Sequence, residues 1–216
     1  MSSPDKNSFP LVAAVILLTG CVGTVTRPDS ESIQQPRPVY LVDHGRHASL
    51  VLTRDDETMV RYLYGEWRWY ALQETGFFRV FPTLFFPTQA TLGRRELAGP
   101  PAESAIRRQV PVVIQKVHEL PAGAERIDEL ERRLNKRFEA NIETRHYNAD
   151  YDLEFVHDPV DYTIFYNSNH VVADWLRELG IEITGNPVWG RWRVQASISR
   201  AFCNPARNTS ISECRL

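Results

Sequence analysis

Two short polar stretches of the chain carry the side chains that could do covalent chemistry. Residues 44–47 read His-Gly-Arg-His before a predicted strand, and residues 167–170 read Asn-Ser-Asn-His before a predicted helix. A histidine can take the proton of a nucleophile and return it to the leaving group. The free N–H groups at a helix N-terminus can stabilise the oxyanion that forms. The pattern favours acyl chemistry, with Ser168 as nucleophile and His47 as base.

The same residues also have simpler structural explanations. Asn and Ser are favoured helix N-caps, so residues 167–169 are also expected at a helix start that does no chemistry. His47 can equally be a surface or turn histidine, and His44 a structural turn residue or an alternative base. Glu66 can orient His47 as the third member of a triad, or it can be an ordinary strand charge. His170 is expected to pack or to be solvated.

The order of these motifs resembles a group of bacterial envelope proteins related to the circularly permuted papain-like superfamily. That superfamily includes NlpC-type and lecithin retinol acyltransferase-like proteins. The resemblance rests on His-Gly-x-His before a short apolar strand at 44–52, on Gly-Glu at 65–66, on Tyr70 and on Asn-x-Asn at 167–169. It covers residues 40 to 194. In the permuted forms the histidine strand precedes the nucleophile helix, as it does here.

The resemblance implies an α+β fold, a permuted papain-like domain whose antiparallel sheet packs against helices. The residues that match the site are Ser168, His47 and Glu66 for catalysis and Asn167, Asn169 and Tyr70 for binding. The family's usual cysteine is Ser168 here, and a serine hydroxyl, unlike a thiol, is not partly ionised near neutral pH. Two outcomes stay open. One is a serine hydrolase or acyl transferase acting on an envelope amide or ester, and the other is a non-catalytic protein that binds peptide, lipid or glycan fragments.

Neither a cofactor nor a metal nor a nucleic-acid partner is predicted. His44 and His47 are spaced as a metal pair can be, but no further ligands with zinc-like spacing accompany them. Residues 150–155 put three acidic side chains on one strand face, which a solvated surface explains better than a calcium site without a glycine-bearing loop. The net charge of −2 gives no basic surface for nucleic acid.

The elements that must position these motifs follow from apolar spacing. Strands are predicted over residues 39–42, 48–52, 66–70, 108–117, 150–155 and 187–194. Helices are predicted over residues 124–139 and 170–179, where apolar residues recur every three or four positions. The aromatic segment 77–86 is expected either to pack under a loop or to face a membrane.

The N-terminus has the layout of a bacterial lipoprotein signal peptide. Lys6 precedes an apolar run that ends in Leu-Thr-Gly-Cys at residues 18–21. The run is too short to span a bilayer, so a cleaved export segment is favoured over a transmembrane helix. Cys21 would carry the lipid, and Gly23 in place of Asp resembles outer-membrane retention. The prediction is a lipid-anchored, periplasm-facing protein of the outer membrane, with an ordinary secretory peptide or a short buried helix as alternatives.

This N-terminus divides the chain into four parts. They are a signal peptide (1–20), a lipidated tether (21–38), the domain (39–199) and a C-terminal tail (200–216). The tether is predicted because residues 22–38 are rich in Thr, Ser, Gln, Pro and Arg and have no apolar period. In an oxidising compartment Cys203 and Cys214 can form a disulfide, with two unpaired thiols as the alternative.

Overall fold

The computed structural model describes residues 22–74 and 86–197. The predictions for Cys21, for Cys203 and Cys214, and for most of the aromatic segment 77–86 lie outside these ranges. The described part is a mixed α+β structure with ten strands and four α-helices. No helix within it is long and apolar enough to cross a membrane.

Strands and helices follow one another in a mixed order along the chain. The strands are β1 (Gly23–Arg27), β2 (Pro36–Asp43), β3 (Ala48–Thr53), β4 (Met59–Glu66), β5 (Thr88–Leu97), β6 (Lys116–Gly123), β7 (His146–Asn148), β8 (Leu153–Tyr162), β9 (Glu182–Gly185) and β10 (Trp192–Ala196). The helices are α1 (Trp67–Tyr70), α2 (Glu103–Gln109), α3 (Ala124–Glu139) and α4 (Ser168–Glu178). Two 3₁₀ turns lie at Ser30–Ser32 and Ile142–Thr144.

A seven-stranded sheet forms the centre of the molecule. Its order is β6-β2-β3-β4-β5-β8-β7, and every neighbouring pair is antiparallel. A smaller sheet has the order β10-β1-β9, in which β1 runs parallel to β10 and antiparallel to β9. The predicted α+β class with a mostly antiparallel sheet and packed helices is therefore confirmed.

Both faces of the central strands are covered. All residues of β3 and β4 are buried, and successive side chains on a strand point to opposite faces. Leu50 and Tyr62 belong to the core that holds the apolar stripes of α3 and α4, whereas Val51 and Met59 pack with residues of α2 on the other face. Burial on both faces holds the two central strands rigidly, and the candidate site lies at their ends.

Two predicted strands are wrong. Residues 66–70 form the end of β4 and then α1, because the Glu66 carboxylate accepts the Trp69 N–H at 2.7 Å and so begins a helix. Residues 108–117 span the end of α2 and an irregular segment before β6 begins at Lys116. In α2 only Ala105 and Ile106 are buried, so this short helix gave little apolar periodicity.

Part of the predicted tether is a strand. Residues 23–27 form β1, and the Val25 side chain is fully buried in the main core. Pairing with β9 and β10 satisfies the backbone hydrogen-bonding groups of β1. One buried apolar side chain is therefore enough to attach this strand to the core. A sequence of alternating threonines therefore enters the fold without an apolar pattern that would mark it.

The other predicted elements are found with shifted bounds. Helix α3 has the predicted ends, and α4 begins two residues earlier than predicted. Strand β8 starts at Leu153, because Asn148 accepts the Asp150 N–H at 2.9 Å and Asp152 has a φ of 49°, which together make a turn. The last strand starts at Trp192, after a turn in which the Gly190 N–H donates to the Pro187 carbonyl at 2.7 Å.

Candidate functional site

A cavity of about 1260 Å³ lies where the β2–β3 turn meets the N-terminus of α4. All six predicted site residues line it: Ser168, His47, Glu66, Asn167, Asn169 and Tyr70. The Asn169 amide Nδ2 donates to the Arg46 carbonyl at 3.0 Å across 123 positions of sequence. The fold thus joins the two stretches that the sequence singled out.

The β2–β3 turn sets the positions of both histidines. The Asp43 carboxylate accepts the Gly45 N–H at 2.6 Å, and the His44 N–H donates to the His47 carbonyl at 2.9 Å. Gly45 has a φ of +92°, and a Cβ there would lie 2.3 Å from the Gln115 amide nitrogen. This tight turn leaves the two imidazole rings stacked, 4.7 Å apart with an interplanar angle of 19°.

The His47 ring is enclosed by three other rings. His44 stacks on one face, while Tyr70 and Tyr151 approach at 5.5 and 6.4 Å between ring centroids in edge-on geometry. Its Nε2 is buried and has no hydrogen-bond partner among the described residues. Nδ1 is therefore the nitrogen that can face the cavity. Burial, and secondarily the charge of Arg61, lowers the pKa of His47 to about 4, so the ring is neutral at neutral pH.

His44 is held by hydrogen bonds at both ring nitrogens. Nδ1 bonds to the Val113 carbonyl at 2.8 Å, and Nε2 lies 3.1 Å from the Ser49 hydroxyl. Burial lowers the pKa of His44 to about 3, and the charge of Arg61 adds to the effect. This environment suits a structural turn histidine better than an alternative base.

Asn167 caps helix α4. Its Oδ1 accepts the Asn169 N–H at 3.0 Å and the His170 N–H at 3.4 Å, and His170 Nδ1 accepts the Asn167 N–H in return. Ser168 is the first helical residue, and its own N–H has no hydrogen-bond partner within the described ranges. A free amide at the positive end of an eleven-residue helix is available to an anionic oxygen.

Tyr70 lies between His47 and Ser168. Its ring edge approaches His47 at 5.5 Å between ring centroids, and it lines the same cavity as Ser168. Burial raises the pKa of Tyr70 well above its ordinary value, against a smaller lowering by Ser168, so the phenol stays protonated. The ring packs on Gly65, where a Cβ would lie 2.2 Å from it. Glycine at this position therefore admits the tyrosine to the site.

Glu66 is the predicted orienting partner of His47, and that role stays a prediction. Its carboxylate caps α1 through the Trp69 N–H. Within the described part of the chain no hydrogen bond joins Glu66 to His47, although both line the cavity. Burial raises the pKa of Glu66. The strand ends at this carboxylate, and the first free N–H groups of α1 are its nearest donors.

The sequence analysis missed Arg61, which lies directly behind the histidines. Its side chain is 1% exposed. Nε donates to the Ser49 hydroxyl at 3.1 Å and Nη1 to the Tyr151 carbonyl at 3.2 Å. Burial lowers the pKa of Arg61 to about 9, so the guanidinium is still charged at neutral pH. The signal in the sequence was a single arginine within the otherwise apolar strand 59–64.

The cavity rim carries aromatic and cationic side chains. Trp69 and Trp189 are 36% and 57% exposed and line the opening. Arg46 and Arg191 also line it. In the described part of the chain no cluster of three or more histidine, cysteine, aspartate or glutamate side chains could hold a metal ion.

Comparisons of the chain with protein-family models, with curated proteins and with solved structures find no match.

Proposed function

We propose that the chain is a cell-envelope hydrolase or acyl transferase with a permuted papain-like architecture. Ser168 is the nucleophile and His47 the base in this proposal. The observation that supports it is the meeting of His47, Tyr70 and Ser168 in one cavity, although they come from a turn, a short helix and the start of a long helix.

The proposed reaction proceeds through an acyl-enzyme. The Ser168 oxygen bonds to the carbonyl carbon while His47 Nδ1 takes the hydroxyl proton, and the carbonyl electron pair moves onto its oxygen. The Ser168 N–H and the Tyr70 hydroxyl, which lie in the same cavity, are the donors proposed for that oxyanion. As the bond to the leaving group breaks, His47 returns the proton to its amine or alkoxide. Water or another acceptor then releases the acyl group in the same two steps.

The side chains at the cavity rim favour a substrate whose acyl bond lies near a ring and an anionic group. Exposed indole faces such as those of Trp69 and Trp189 can pack on a sugar or an apolar ring. Guanidinium groups bind carboxylate and phosphate in a planar, bidentate geometry. Peptide, lipid and glycan fragments of the envelope carry such groups.

The proposal also includes the location of the protein in the cell envelope. The apolar run that ends at Cys21 supports lipid attachment there and a periplasm-facing domain on the outer membrane. Cys21→Ala is expected to move the protein from the membrane fraction to the soluble fraction. Unchanged fractionation would contradict the anchor.

A serine-reactive phosphonate probe tests the chemistry. The wild-type protein is expected to be labelled, and Ser168→Ala to lose the label entirely, because only an activated hydroxyl attacks such a probe. Ser104→Ala, an exposed serine on α2, is the matched control and should keep the label. A folded wild-type protein that takes no label, or a label that survives in Ser168→Ala, would contradict the proposal.

The second candidate is a binding protein without catalysis. It is favoured by the use of Glu66 as a helix cap and by the environment of His47 Nε2, since among residues 22–74 and 86–197 no carboxylate accepts a hydrogen bond from that nitrogen. Ser168→Cys separates the two candidates, because a thiol needs less help to ionise. If ester or amide hydrolysis appears only in this variant, the natural protein binds without reacting.

A further inference from the structure

Arg61 is a buried cation that forms no ion pair with a carboxylate of the part of the chain that the structure describes. In the described ranges its side chain bonds to the Ser49 hydroxyl, to the Tyr151 carbonyl and, at 3.5 Å, to His44 Nε2. The neighbouring Arg95 does form an ion pair, with Asp152. A buried charge without a counterion is strongly unfavourable unless its hydrogen bonds are satisfied. Its presence behind the site therefore needs a functional explanation.

The hydrogen bonds around His44 have only one consistent direction. The Val113 carbonyl can only accept, so His44 Nδ1 carries the proton. Nε2 must then accept, and the Ser49 hydroxyl is its donor at 3.1 Å. The Ser49 oxygen accepts in turn from Arg61 Nε, which can only donate. The Val113 carbonyl thus fixes the tautomer of His44, and Arg61 holds its ring plane through Ser49.

We propose that Arg61 and His44 are positioning residues for His47. Arg61 locks the His44 ring through Ser49, and the His44 ring holds the His47 ring in place by stacking. The arrangement takes over the orienting role that a carboxylate has in a triad, and its positive charge keeps His47 in the neutral, proton-accepting form. The inference concerns the base of the proposed reaction, but the positioning itself can be measured without a substrate.

The groups that face His47 from each neighbouring element support this assignment. The stacked ring is His44, the tyrosines from α1 and from the turn before β8 are Tyr70 and Tyr151, and the group at the start of α4 is Ser168. Burial raises the pKa of both tyrosines, so both are neutral. The other charged side chains that line the cavity are Arg46, Glu66, Arg68, Glu74 and Arg191.

The charge acting on His47 from beneath is therefore that of Arg61. The pKa of His47 is lowered by burial first and by Arg61 second. His47 therefore becomes protonated only at a lower pH, at which a histidine with an ordinary pKa is already charged. His47 is therefore still mostly neutral near pH 5 and is able to accept a proton there.

An NMR titration of the His47 ring in the Ser168→Ala protein tests the inference independently of catalysis. The parent midpoint is expected near pH 4, compared with 6.5 for an ordinary histidine. Arg61→Met removes the charge and should raise the midpoint by about one pH unit. Arg61→Lys keeps the charge and should leave the midpoint close to the parent value. A folded Arg61→Met protein with an unchanged midpoint would overturn the inference.

Ser49→Ala keeps the experiment decisive if Arg61→Met does not fold. It removes the hydroxyl that links Arg61 to His44, so the His44 ring should lose its fixed plane although the Val113 carbonyl still holds the Nδ1 proton, and the stacked His47 ring should show line broadening in the ring ¹⁵N spectrum. Unchanged ring spectra would overturn the inference.

The titration also separates this inference from the proposed function. A shifted midpoint in a protein that no serine probe labels would leave the positioning intact and remove the hydrolase. Probe labelling together with an unchanged titration midpoint would leave the hydrolase intact and remove the positioning.

Discussion

At the scale of single residues, the neutral state of His47 is the property with the widest consequences. The ring is enclosed by His44, Tyr70 and Tyr151 and cannot be solvated when it is charged. In the unfolded chain the same ring binds a proton below its ordinary pKa of 6.5. Between that value and about pH 4, the unfolded state therefore binds more protons than the folded state does.

This difference in proton binding predicts how the stability of the protein depends on pH. Where the unfolded state binds more protons, stability falls as the pH falls. The free energy of unfolding should decrease from pH 7 to pH 4, and His47 should account for about 3 kcal/mol of that decrease. His47→Phe keeps the stacked ring and should flatten the profile by this amount in urea titrations. Equal slopes for the two proteins would contradict the burial of a neutral ring.

The residue scale also shows what the sequence could reveal about the site. The six predicted residues line one cavity. Four of them, His47 and residues 167–169, lie where a strand or a helix begins, which is a position that the sequence pattern can show. Arg61 and Tyr151 escaped notice, since their roles depend on contacts across strands far apart in the chain. The orienting role expected of Glu66 stays a prediction, while its carboxylate caps the N-terminus of α1 through the Trp69 N–H.

At the scale of elements, local periodicity decides which predictions succeed. Helix α3 has the predicted ends because Ile127, Leu130, Leu134 and Phe138 form one buried stripe. Helices α1 and α2 are short and take their conformation from a cap or from two buried side chains, so no sequence window shows them. Strand β1 is set by pairing partners that lie more than a hundred residues later in the chain.

The cap of α4 gives a prediction at this scale. Asn167→Ala removes the acceptor for the backbone N–H groups of Asn169 and His170 but keeps the backbone N–H that donates to His170 Nδ1. The protein should lose about 1–2 kcal/mol of unfolding free energy in urea, because the first turn of the helix is left uncapped. The label from the serine probe should fall as well, since Ser168 begins this turn.

Asn167→Asp is the matched control for the cap. A carboxylate also accepts the two N–H groups and is favourable at a helix N-terminus. It should restore most of the stability that Asn167→Ala loses. If the alanine variant is as stable as the wild type, the helix start is held by tertiary packing and not by the cap.

At the scale of the whole molecule, the small sheet connects the N-terminal segment to the cavity. Strand β1 lies between β9 and β10, and the segment that joins those two strands carries Val188, Trp189 and Arg191 to the rim. The same segment accepts a hydrogen bond from Asn167 at the Val188 carbonyl, at 3.0 Å. We therefore expect that a substitution that destabilises β1 also perturbs the rim and the start of α4.

Val25→Ala tests this connection. The side chain is fully buried, and its truncation should cost about 2 kcal/mol while leaving the seven-stranded sheet formed. Hydrogen exchange is expected to quicken most in β9, β10 and the segment between them, because β9 and β10 pair with β1, and least in β3 and β4, whose other face packs with α2. Thr24→Ala, a half-buried neighbour on the same strand, is the control. Exchange that quickens equally in both sheets would mean that the molecule opens as one unit and that the rim has no separate link to the N-terminal strand.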